Sequence, residues 1–225
     1  MEGCVTVSVP RLGIMVEAFL MEQVICNSVQ ELGYDRPRPD QLEAVLQLVS
    51  GRDTFISLPT GSGKSLCFAS LPLVFDKLRE VIDTPNHHSI CIVLSPLNAL
   101  MQDQVTTFTA RGMKAAFVGG GQEERAIYDS VINGDMQLVY FSPESLLTIP
   151  YWREMLKTSC YKANLVCLAV HEAHLVEKWY VCMHVCIYIC MYVCMYVCMY
   201  VCIYVCMYVC VYVCVYVCMY VCMYL

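Results

Sequence analysis

Two short groups of residues in this chain could do chemistry. The first is Thr60-Gly61-Ser62-Gly63-Lys64-Ser65, which follows the apolar run Thr54 to Leu58 and precedes a helical pattern. Its glycines let the backbone turn N–H groups toward a bound anion, and the start of the next helix adds favourable partial charge. In such a loop Lys64 meets the β- and γ-phosphates of a nucleotide, and the Ser65 hydroxyl is offered to Mg²⁺. The leading glycine of the usual six-residue spacing is Leu58 here. The second group is His171-Glu172-Ala173-His174, one carboxylate between two imidazoles, directly after the apolar run Ala163 to Val170.

Placing both groups around one ligand requires a particular fold. Further strand-like runs are ICIVLS (Ile90 to Ser95), KAAFVG (Lys114 to Gly119) and QLVYFS (Gln137 to Ser142), with helical patterns between them. Apolar runs this continuous predict strands covered on both faces, and their alternation with helices predicts an α/β fold with a parallel sheet. Ligands on such sheets bind at the carboxyl ends of strands. Both chemical groups follow strand ends, so they can meet around one nucleotide. His87 and His88 lie in a polar stretch after Pro85 and read as loop residues, not ligands.

Composition divides the chain in two. All 14 basic and 20 acidic residues precede Tyr180, and that part has the size of one ordinary soluble domain. Its net charge of −6 excludes a protein held to nucleic acid by bulk charge, so any such contact must come from a local surface. Of 17 cysteines, eleven fall at every fourth position from Cys182 to Cys222. The other six are scattered without Cys-x-x-Cys spacing, the pattern of reduced intracellular thiols and not of disulfides or zinc. Glu17 and Glu22 interrupt the apolar start, so no signal peptide is expected.

From Tyr180 the chain repeats Tyr-Val-Cys-Met. The tetranucleotide TATG, read in triplets, encodes that unit. The departures at His184, Ile187, Ile189, Ile203, Val211 and Val215 each lie one base away. The favoured reading is simple-sequence DNA translated into protein. Two alternatives stay open. An uncharged apolar run longer than the roughly 20 residues that span a bilayer fits a membrane anchor, although it lacks basic flanks and paired aromatic belts. The Cys-x-x-x-Cys ladder could bind soft metals.

The first 179 residues resemble the first motor domain of a RecQ-like DNA helicase of superfamily 2, from about Leu32 to Trp179. LGYDRPRPDQ resembles that family's adenine-recognition motif, a glycine, then an aromatic, an arginine and a glutamine. Arg38 and Gln41 take the arginine and glutamine places, with Pro37 where an aromatic or leucine is usual. Pro-Thr-Gly-Ser-Gly-Lys-Ser is a form of the phosphate loop common in helicase-type ATPases. VLSPLNALMQDQV is similar to a motif lying along single-stranded DNA, through Ser95, Pro96 and Leu97. YFSPESL is similar to a second DNA-side motif, through Ser142, Pro143 and Glu144, with Ser145 where the family has arginine. HEAHLVEKW resembles the second ATPase motif, in which Trp179 favours RecQ over the related RNA helicases.

The resemblance implies a RecA-like P-loop sheet, ATP and Mg²⁺ as cofactors, DNA as partner, and ATP-driven 3′-to-5′ unwinding in the nucleus, in DNA repair and recombination. By that implication Gln41 and Arg38 read the base, and Thr60 to Ser65 hold the phosphates. Lys64 and Glu172 are the catalytic pair, Glu172 helping to activate water. Position 171 is the family's metal-binding aspartate. Histidine serves poorly there, because Mg²⁺ prefers oxygen ligands. Three segments are expected: a helical lead-in over 1–31, a partial ATP-binding domain over 32–179, and the repeat over 180–225. The chain alone is expected not to unwind DNA, since the second motor domain of the family has no counterpart in the repeat. A non-catalytic nucleotide- or nucleic-acid-binding fragment and a membrane-tethered P-loop protein remain as alternatives.

Overall fold

The computed structural model describes residues 2–8, 18–81, 88–120 and 125–171. All of these belong to the first of two units into which the chain divides, Met1–Trp179. Glu172, Trp179 and the repeat lie outside the described residues.

Each strand expected from an apolar run forms, trimmed or shifted slightly at its ends: β2 (Thr54–Pro59), β3 (Ile90–Leu94), β4 (Ala115–Val118), β5 (Leu138–Phe141) and β6 (Leu165–His171). A further strand, β1 (Glu2–Ser8), precedes them. The sheet order is β2-β1-β6-β3-β5-β4. β6, β3, β5 and β4 form the parallel ladder that the runs predict, with Cys91 opposite Leu138 and Cys167. β1 is antiparallel to both its neighbours, so β2 runs in the same direction as the parallel four.

Within the expected helical lead-in, residues 2–8 are strand instead, while Ala18–Glu31 is helix. The consecutive β-branched residues Val5, Thr6 and Val7 favour extended backbone.

The helices in chain order are α1 (Ala18–Glu31), α2 (Pro39–Val49), α3 (Lys64–Ala69), α4 (Leu71–Val81), α5 (Asn98–Ala110), α6 (Arg125–Asn133), α7 (Pro143–Thr148), α8 (Pro150–Met155) and α9 (Ser159–Asn164). α1 buries Val24, Ile25, Ser28 and Val29, and α2 buries Gln41, Ala44, Val45 and Leu48, stripes at the helical spacing of three and four. α1 ends where Gly33 turns left-handed at φ 75, letting Tyr34 N–H reach the Val29 carbonyl at 3.2 Å.

Strand alternation sorts the core into two layers. Cys91 and Val93, Leu138 and Tyr140, and Cys167 and Ala169 share the face that packs with α1, α2, α4 and α5. On the other face Phe141 meets Trp152 of α8 at 5.5 Å between ring centroids, and Tyr128 of α6 meets the same ring at 5.4 Å. The Tyr161 hydroxyl of α9 donates to the Val131 carbonyl of α6. Arg79, buried in α4, donates to Ser89 Oγ at 3.0 Å and to the Ala163 carbonyl at 3.3 Å, tying α4 to the starts of β3 and β6. Among the described residues no helix is long and apolar enough to cross a membrane.

Trp152 is the keystone of the second layer, only 4% exposed between Phe141, Tyr128 and Tyr151. Trp152→Ala is expected to remove about 3–5 kcal/mol of stability. Chemical denaturation followed by circular dichroism measures it, and an unchanged midpoint would show that this layer does not hold the sheet.

Candidate nucleotide-binding site

Because β2, β6, β3, β5 and β4 run in one direction, their carboxyl ends lie along one edge of the sheet. The phosphate loop leaves β2 there, His171 ends β6, Ser95 follows β3, Ser142 follows β5, and Gly119 follows β4. These are the positions at which ligands of open α/β sheets bind.

The loop itself is a left-handed turn. Gly61 and Gly63 have φ of 81° and 80°, values that residues with a side chain adopt only with strain. Ser62 N–H closes the turn on the Pro59 carbonyl at 3.1 Å. Gly63 caps α3 with no side-chain hydrogen bond, so the first N–H groups of the helix remain available. Thr60 and Gly61 are exposed and Ser65 is half-buried. Ser62 is 9% exposed, and its hydroxyl has no hydrogen-bond partner among the described residues. Lys64 is 7% exposed, with its ammonium donating to the carbonyls of Leu58 at 2.7 Å and Pro59 at 3.0 Å. Those carbonyls hold a buried cation that would otherwise be costly. Cys67, further along α3, is no nucleophile. Burial, reinforced by the charge of Asp40, pushes its thiol up to about 12, which outweighs the opposing effect of Lys64.

Gln41 joins α2 to this loop. Pro39 starts the helix, and Arg38 precedes it in extended conformation with its N–H donating to Gln41 Oε1 at 2.9 Å. Gln41 Nε2 donates to the carbonyls of Ser62 at 2.9 Å and Gly63 at 3.1 Å. A Cβ on Gly63 would lie 2.6 Å from that nitrogen, so the close approach needs glycine. Gln41, far from the loop in sequence, is therefore brought to it, with Arg38 at the start of the same helix.

His171 is 8% exposed and meets the Phe68 ring of α3 edge-on, at 6.1 Å between centroids. It lies beside the helix that begins at the phosphate loop. The loop's donors, its open helix start and the Ser62 hydroxyl fit a triphosphate. A hard cation fits less well. Ser65 offers one oxygen, but residue 171 offers an imidazole packed on an aromatic ring. Among the described residues no group of three or more His, Cys, Asp and Glu side chains could hold a metal ion.

Of the residues expected to meet DNA, Ser95, Ser142 and Pro143 are buried. Ser95 is 1% exposed, its N–H donates to the Phe141 carbonyl at 3.0 Å, and its hydroxyl lacks a partner among the described residues. Ser142 N–H donates to the Val118 carbonyl at 3.1 Å, and its Oγ caps α7 by accepting from Ser145 N–H at 3.1 Å. Its hydroxyl also bonds Ser145 Oγ at 2.9 Å. Pro143 is buried and Pro96 half-buried, whereas Leu97, Asn98 and Glu144 face solvent. Gly119 and Gly120, on the same edge, belong to none of the motifs. There Asn98 packs so closely that a Cβ on Gly119 would come within 2.9 Å of its Oδ1. Paired glycines directly after a strand were the available signal.

The family model for the DEAD/DEAH box helicase matches residues 38–191. The chain is 36% identical over 145 residues to the "ATP-dependent helicase SGS1" of Saccharomyces cerevisiae, an alignment covering 63% of the chain and 10% of that protein. It is 31% identical over 151 residues to the "ATP-dependent DNA helicase RecQ" of Haemophilus influenzae, covering 65% and 22%. It is also 33% identical over 160 residues to the "ATP-dependent helicase wrn-1" of Caenorhabditis elegans, covering 70% and 14%. The chain thus spans about a tenth to a fifth of the length of these relatives. It belongs to the DEAD/DEAH box helicase family, as the N-terminal part of a RecQ-like motor domain.

Proposed function

We infer that this chain holds ATP between the Gln41 amide and the loop Thr60–Ser65, as the nucleotide-binding part of a DNA 3′-to-5′ helicase, and that it hydrolyses ATP poorly. The observation that carries the reading is the clasp of Gln41 Nε2 on the Ser62 and Gly63 carbonyls. It brings a base-reading amide and a phosphate cradle into one site.

In that reading Lys64 exchanges its two backbone carbonyls for phosphate oxygens, where its charge is balanced by an anion. The Ser62 hydroxyl gains a partner, and the α3 N–H groups orient the phosphate chain. Arg38, three residues before Gln41, is proposed to meet the nucleotide on the base side. Glu172 is the candidate group to orient the attacking water. Mg²⁺ is proposed at the Ser65 hydroxyl, with His171 as a poor replacement for a carboxylate. A neutral imidazole brings no negative charge to balance the ion, which favours binding over turnover.

DNA is the proposed partner, along the strand-end loops that carry Ser95, Pro96, Leu97, Ser142 and Pro143. With Ser95, Ser142 and Pro143 buried, contact there would run through backbone groups and the exposed Leu97, Asn98 and Glu144 neighbours. A DNA substrate makes the nucleus the proposed location.

Two variants test this. Lys64→Ala is expected to weaken ATP binding by about ten- to a hundredfold, the size of a lost charge-assisted hydrogen bond; equal affinity in a titration would reject the site. His171→Asp is expected to raise the steady-state rate of DNA-stimulated phosphate release by at least about tenfold. A variant no faster than the parent would show that residue 171 does not limit turnover.

A further inference from the structure

Arg111 caps the C-terminus of α5 yet spends its side chain on a distant segment. Nη1 donates to the Leu32 carbonyl. The guanidinium carbon lies 4.0 Å from the centroid of the Tyr34 ring. Gly33, between those two residues, is packed so tightly that a Cβ there would come within 3.2 Å of Arg111 Nη1. One guanidinium thus holds both a carbonyl by its edge and an aromatic ring by its face, a pairing its planar shape permits and an ammonium does not.

The segment it holds leads to the nucleotide. Tyr34 is the aromatic of the glycine-aromatic-arginine-glutamine series, and the same stretch ends at Arg38 and Gln41. Between Gly33 and α2 the chain has no regular secondary structure, and its further ties are the bond from Tyr34 N–H to the Val29 carbonyl at 3.2 Å and an exposed bond from Gln30 Nε2 to the Asp35 carbonyl at 3.3 Å. Its other end is the Gln41 clasp on the phosphate loop. A short strap held at two ends is placed by both of them.

We propose that Arg111 is a positioning residue for base selection. It fixes one end of the strap whose other end presents Gln41 to the base. This rests on Gln41 as the group that reads adenine. Phosphate binding draws on Lys64 and the loop backbone, whereas base selection depends on the strap, so the two respond separately to loss of Arg111.

The experiment titrates the full chain with ATP and with GTP, in the parent and in Arg111→Ala, Arg111→Lys and Gln41→Ala. Arg111→Ala is expected to lose about tenfold of the preference for ATP over GTP, while GTP affinity stays as in the parent. Arg111→Lys, which keeps a charge and a donor but not the planar fork, falls between. Gln41→Ala loses the preference as well. Preference kept in Arg111→Ala but lost in Gln41→Ala overturns the role of Arg111 alone. Equal weakening of both nucleotides in Arg111→Ala overturns it too, because that is general destabilisation. A parent without preference, or Gln41→Ala that keeps it, overturns the reading of Gln41 beneath. Should Arg111→Ala not fold, Arg111→Lys with the full preference of the parent overturns the proposal.

Discussion

The site depends on one carboxamide. Gln41 accepts from the Arg38 N–H and donates to the Ser62 and Gly63 carbonyls, at 5% exposure. Buried polar groups left without partners cost about 1–3 kcal/mol each, so these bonds fix α2 against the phosphate loop. They also require the residue type. A glutamate in this place would carry no donor for the two carbonyls, and a side chain on Gly63 would collide with the amide nitrogen. For Gln41 to read a base it must give up one of these bonds. In the proposed function, base recognition and the shape of the phosphate loop would therefore be linked through a single side chain, with no need for a longer path.

Sheet direction does the rest. A parallel ladder with both faces covered places every strand exit on one edge, so residues scattered from Thr60 to His171 converge without any long-range design beyond the order of the strands. β1 is the exception in orientation and not in effect. By pairing antiparallel on both sides it leaves β2 aligned with the others, and the phosphate loop stays on the common edge. The register brings Glu2 opposite Pro59 and Val5 opposite His171, which sets the start of β1 at that edge as well.

The sequence made the strands and the phosphate loop legible because both are local. Continuous apolar runs announce β3, β5 and β6, and the glycines and lysine announce the turn. Pairing is not local. Nothing in the Val-Thr-Val run at 5–7 says that it inserts between β2 and β6, and by position alone it belongs to a helical lead-in. Burial of the motif serines was equally hidden. Ser142 looks like a contact residue in a linear motif, yet its hydroxyl is spent capping α7, which only the turn after β5 reveals. Arg111 carries no local signal, since its partners Leu32 and Tyr34 lie far away in the chain and meet it only in the folded chain. Resemblance to a family points to Gln41 and Arg38, and the approach of Gln41 to the loop is a property of the packed helix α2.

Residue 171 shows why such a site resists simple optimisation. Its imidazole is nearly buried and packs edge-on against Phe68, a contact that contributes to folding whether or not a nucleotide is present. An aspartate in its place would forfeit that ring contact and bury a charge, which needs a cation or hydrogen-bond donors nearby to be tolerated. The nearest ammonium along the loop, Lys64, is already committed to the Leu58 and Pro59 carbonyls. Without a metal the folded chain therefore favours histidine, and with a hard cation in place the balance turns to aspartate. On the proposed reading, stability and turnover would pull this position in opposite directions, as is common where function requires a buried charge.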